Sequence, residues 1–341
     1  MKNPASTQLY KTVSQLGLSR AQVRRLLPEW WVPALEEEPD GAAELAMHLS
    51  RRLSVDLQSL LKGSVVPKGA VAKLAFKHHA NVDPSSLSAA TFIASSLAQA
   101  VLAALPMDYQ SLPSDPARMR ARACEITPGQ PFGFASLLNL CWAHGVPVIP
   151  LPNLPVGVRK MDGAALQVGK RPVVVLAKKK SSRAWLSFIL AHEMGHIALG
   201  HLQPGSSIID ISLQETATYL SESASDVQER DADSFALETM GGAAVAAEIQ
   251  TWLPMAAPVE IAVNARKAAT KHQIEAGHFI LRHAFATRRW PEAMTALRFL
   301  SEDLNPESAL VAQLKEHLKL DMVAEDLQDL VASVTGWNTA S

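Results

Sequence analysis

The sequence predicts an α+β fold, predominantly α, with a small sheet beside one central helix. Three observations predict it. Apolar residues recur at a helical period through most of the first and last hundred residues. Two short apolar runs, ALQVG and RPVVVLA, follow the turn at Asp162-Gly163 and read as paired strands. From Trp185 to His201 runs an apolar helix interrupted by histidines and one glutamate.

Composition bounds the rest. The chain has 341 residues, 48% apolar and 19% charged, with 32 Lys/Arg against 33 Asp/Glu. That balance excludes a disordered chain, a collagen-like chain and a strongly basic nucleic-acid coat. Two cysteines, Cys124 and Cys141, cannot build a disulfide framework, and MKNPASTQLY lacks the apolar stretch of a signal peptide, so a cytoplasmic protein is expected. Ser85 to Met107 carries no charge and is long enough to span a bilayer, but five serines, Thr91, Gln99 and an alanine-rich composition point to a buried helix.

In chain order, residues 1–65 read as a small helical domain, loosely helix-turn-helix-like, with Pro28 stopping the helix in LSRAQVRRLL. Its eight Lys/Arg against seven Asp/Glu leave no electrostatic footprint for phosphate, so packing or partner binding is the better reading. Trp30-Trp31 reads as a docking anchor for a helix. Residues 66–130 read as helices and a linker containing LPSDPARMR. In 131–245, FASLLNLCWAHGV reads as a helix ending at Gly145, VPVIPLP as a short strand, and the two apolar runs as a hairpin. Cys141 falls in the apolar helical run and reads as core. From Ser182 onward the pattern is helical, and 246–341 forms a C-terminal helical domain.

The chemistry lies in His192-Glu193-Met194-Gly195-His196. Residues four apart share a helix face, so His192 and His196 can offer two imidazole nitrogens to one zinc ion. Glu193, beside the first histidine, is positioned to act on water without being a ligand. This is the H-E-x-x-H arrangement of metallopeptidases. The alternative is an ordinary helix with two unremarkable histidines. A third ligand is needed, and Glu229 with Asp233 forms another i, i+4 pair, interleaved with Ala232, Phe235 and Ala236, which can pack inward. The spacing suggests Glu229 as third ligand and Asp233 behind it, holding the outer N–H of a histidine. The whole reads as a zincin-like metallopeptidase core.

HEMGH followed by E-x-x-A-D-x-F-A, and preceded by a small sheet carrying PVVVLA, resembles the ImmA/IrrE family of bacterial metallopeptidases over about residues 132–240. The resemblance implies His192, His196 and Glu229 as zinc ligands and Glu193 as catalytic base. It also implies limited proteolysis of a helix-turn-helix repressor that controls stress, mobile-element or defence genes. A bound zinc would supply Lewis acidity, while Glu193 takes a proton from water and returns it to the leaving amine. Tyr219, His201, His272, His278 and His283 are candidate oxyanion donors, and RPVVVLA is a candidate edge for an extended substrate. The competing readings are a DNA-binding regulator with a structural metal site and an antitoxin-like interaction protein.

Two further features carry alternatives. Between Arg159 and Arg183 stand eight Lys/Arg and one acid, including Lys178–Lys180. This is either a solvated loop or a basic lip for an anionic effector such as single-stranded nucleic acid. Cys124 could serve as a thiolate latch on the zinc.

Overall fold

The computed structural model describes residues 3–38, 40–68, 73–76, 88–158, 161–177, 182–202, 206–210, 227–300 and 306–337. Its sheet grows from the predicted hairpin. β-Branched residues dominate Arg171–Leu176, and the two-residue loop Gly169-Lys170, with Gly169 at φ +61°, returns the chain onto Gly163–Val168. Numbering the strands along the chain gives β1 (Lys73–Phe76), β2 (Val148–Pro150), β3 (Gly163–Val168), β4 (Arg171–Leu176) and β5 (Ser206–Asp210). Their order in the sheet is β1-β5-β3-β4-β2. β3 is antiparallel to both β4 and β5, whereas β1 runs parallel to β5 and β2 parallel to β4.

Two differences from the sequence reading follow. The segment 66–130, read as helical, contributes β1, and the stretch after Gly200, also read as helical, contributes β5. Nor is RPVVVLA an edge: β4 lies between β3 and β2, with Val174 facing both Ala165 and Val148. An added substrate strand would have to displace β2, so docking along β4 is excluded.

Successive strand residues alternate between faces, and Pro172–Leu176 are all buried, so both faces of the sheet must be covered. The helices Ser88–Ala104 and Arg183–Ala198 both pack on β3 and β4 and supply the covers. The uncharged stretch 85–107 thus contributes a core helix. Arg171 Nη1 donates to the Leu102 and Leu105 carbonyls, tying the end of that helix to β4. No helix among the described residues is long and apolar enough to cross a membrane.

Short helices fill the rest, and the fold is α+β and mostly helical. Ser19 caps Arg20–Leu26 in a capping box before Pro28. Trp31 is buried and Trp30 exposed, and both pack against His48. The long amphipathic run after residue 40 is two helices, Gly41–Arg52 and Leu57–Leu61, broken at Ser54, whose φ is +48°. Near the C-terminus, Pro258–His272, Ala276–Thr287 and Trp290–Arg298 pack on one another, and Ala276–Thr287 rests on Arg183–Ala198.

Candidate metal centre

The helix Arg183–Ala198 is capped by Ser182, whose hydroxyl accepts from the Trp185 amide. Every residue from Ala184 to Ile197 is buried. A helix that is apolar all round belongs in a core, and this one is surrounded by the sheet and by the helices Phe134–Ala143, Val227–Thr239 and Ala276–Thr287. His192, Glu193 and His196 therefore sit in the interior with no exposed surface. Burying polar groups of this kind costs several kcal/mol unless partners compensate.

The compensation comes from Val227–Thr239. Gly195 lets that helix approach: a Cβ there would lie 3.2 Å from Phe235 Cδ1 and 3.3 Å from Ala232 Cα. At this distance Glu229 Oε2 lies 3.3 Å from His192 Nε2, and Glu229 Oε1 lies 3.4 Å from His196 Nε2. The two Nε2 atoms are 3.0 Å apart. Ligands at about 2.0–2.1 Å around a tetrahedral zinc stand about 3.3 Å from each other. The triangle thus has the dimensions of one face of a zinc tetrahedron. Among the described residues, this is the one group of histidine, cysteine, aspartate or glutamate side chains close enough to share an ion.

The outer nitrogens fix the orientation. His192 Nδ1 lies 2.9 Å from Asp233 Oδ1, so it donates there and turns the Nε2 lone pair inward. His196 Nδ1 lies 2.9 Å from His201 Nδ1. The helix ends at Leu199, Gly200 takes φ +72°, and the His201 amide donates to the His196 carbonyl at 2.9 Å, folding His201 back behind His196. The sequence reading offered His201 as an oxyanion donor and missed this pairing. The signal was a glycine just beyond a helix end, followed by a polar ring.

The electrostatics suit a cation. Burial pushes His196 down to about 4, keeping it neutral and available as a ligand. Burial would raise Glu229, but the two histidine rings facing its carboxylate outweigh that and hold it below the ordinary carboxylate range. Burial raises Asp233, partly offset by its bond to His192. Glu193 lies under β3, where a Cβ on Gly163 would come within 2.6 Å of its Oε1. Only a glycine strand start leaves the carboxyl its place.

Comparison of the chain with protein-family models, with curated proteins and with solved structures gives no match. The site therefore rests on its own geometry.

The remaining expected residues fall elsewhere. His272 Nε2 bonds Glu248 at 2.9 Å, His278 is buried beside Phe132, and His283 packs on Trp252. Cys124 is exposed on Pro116–Ile126 and outside ligand distance of the triangle, and partial burial raises its thiol, disfavouring the thiolate that a latch needs. Cys141 is buried in the core. Tyr219 and Lys178–Lys180 lie outside the described residues.

Proposed function

We propose that the chain is a zinc-dependent endopeptidase with a zincin-like core, performing limited regulatory proteolysis in the cytoplasm. The reading includes the resemblance to the ImmA/IrrE family and takes a helix-turn-helix repressor as substrate. The observation that carries it is the convergence of His192, His196 and Glu229 at tetrahedral spacing, with Glu193 adjacent in sequence and outside the ligand set. A purely structural ion needs no such glutamate.

Zinc held by His192, His196 and Glu229 would supply Lewis acidity to water and to a peptide carbonyl. Glu193 takes the proton released as water attacks and delivers it to the leaving amine. Asp233 and His201 keep the two imidazoles in the tautomer that faces the ion. The sheet's outer strands among the described residues are β1 and β2, so an extended substrate adds there or binds in an irregular conformation.

Co-expression with a candidate helix-turn-helix repressor tests the reading. The repressor is cut with the wild-type chain and intact with Glu193→Gln, and both proteins carry about one zinc per chain by elemental analysis. Equal cutting by Glu193→Gln, or a purified chain that takes up no zinc, would overturn it.

A further inference from the structure

The helix Pro258–His272 turns an unexpected face to solvent. Val259, Val263, Arg266 and Thr270 follow one another at i, i+4, i+7 and i+11, and all four are exposed. A solvent face gains nothing from β-branched apolar residues, which lower helix propensity. The apolar strip continues in both directions. Leu253 and Met255, 69% and 77% exposed, lead into the helix. Phe299, also exposed, lies beside Arg266, whose Nη2 donates to the Phe299 carbonyl at 2.6 Å.

At its far end the same face enters a cavity of about 490 Å³, where Arg266, Thr270, Gln273 and Leu300 meet Arg183 and Glu275. From Val259 to Thr270 the strip runs roughly 17 Å at the rise of an α-helix, the length of three turns. Exposed cations stand along it, Arg266 and Lys267 on the helix and Arg298 next to Phe299, against the one acid of the helix, Glu260 at its start.

We infer that this face is a docking groove for an acidic amphipathic helix of a partner protein. Apolar anchors at helical spacing would lie on Met255, Val259, Val263 and Phe299, and carboxylates would meet Arg266, Lys267 and Arg298. The concave end favours an inserted protein segment over a flat lipid surface. The groove is independent of the metallopeptidase reading, since none of its residues contributes to the metal centre.

The test uses the full chain carrying Glu193→Gln, so that no peptidase activity consumes the probe. The probe is a fluorescent 16-residue helix of glutamates and alanines, with leucines every third or fourth position; its control replaces each glutamate by lysine. Anisotropy should show the acidic peptide bound at least tenfold more tightly than the basic one, with affinity falling as salt rises. Val263→Asp, at an exposed position that spares the core, should weaken it a further tenfold. Equal affinity for the two peptides, or no effect of Val263→Asp, would overturn the inference. Binding to phosphatidylglycerol vesicles with no peptide binding would assign the face to lipid instead. A dimer broken by Val263→Asp would assign it to a second copy; both results also overturn it.

Discussion

Asp233 and His201 lie outside the His192–His196–Glu229 triangle, yet each holds one of its rings with a nitrogen turned inward. Removing the Asp233 carboxylate leaves His192 free to rotate and to bind with the wrong tautomer, an effect that typically costs 10–100-fold in metal affinity. Asp233→Ala and His201→Ala should each weaken zinc by about that factor in competition with a chromogenic chelator, while the fold remains intact by circular dichroism. Unchanged affinity in both would show that the helix backbone alone orients the rings. His278 poses a different question at the same scale. Both of its ring nitrogens are buried without a hydrogen bond, and burial, aided by Arg183, pushes it to about 3 from an ordinary 6.5. Above pH 6.5 the ring is neutral folded and unfolded, so it adds no pH dependence. Below that value only the unfolded chain takes the proton, and stability falls by about 1.4 kcal/mol per pH unit. His278→Phe should remove that slope between pH 6.5 and 4 in urea titrations; an unaltered slope would place the acid sensitivity elsewhere.

Between elements, the decisive contact is the crossing of Arg183–Ala198 and Val227–Thr239 at Gly195. A leucine there would drive into Phe235 and the Ala232 backbone, separating the helices and carrying Glu229 away from both imidazoles. Gly195→Leu should therefore abolish stoichiometric zinc binding and lower stability by about 1–3 kcal/mol, the range for overpacked cores. Retained zinc would mean that the crossing tolerates a wider gap than it has. This crossing was legible in the sequence because both helices carry their polar pairs at i, i+4, with Gly195 next to one pair and Ala232, Phe235 and Ala236 around the other. The sheet was only partly legible. β3 and β4 announce themselves through a turn and β-branched residues, but β1 and β5 are short, and their pairing joins residues some 130 positions apart, as Lys73 with Ser206. Local pattern does not encode a partner so distant. The same limit explains β4: its composition is equally that of an edge or an interior strand, and only β2 decides.

At the scale of the whole molecule, the N-terminal helices and the last helix are held by one buried cation. Arg52 is 1% exposed, donates through Nη1 to the Leu26 carbonyl at 2.8 Å, and through Nη2 reaches the Asp326 carbonyl and Asp329 Oδ1. It thereby joins three segments remote in sequence: the end of Arg20–Leu26, the end of Gly41–Arg52, and Glu325–Thr335, which also packs on Ser88–Ala104 and β2. Removing one partner of a buried charged network leaves the others unpaired, at a cost of about 3–5 kcal/mol. Asp329 is partly exposed, so water can replace part of what it loses, and the lower end of that range applies. Arg52→Ala should accordingly lose about 3 kcal/mol in chemical denaturation. Because the clamp joins the first and last described helical regions and lies apart from the His192–His196–Glu229 triangle, zinc content should stay at the wild-type level and unfolding should remain a single transition. A loss below about 0.5 kcal/mol would show that apolar packing alone holds the termini. Two separate transitions would show instead that the terminal helices and the sheet core fold as independent units.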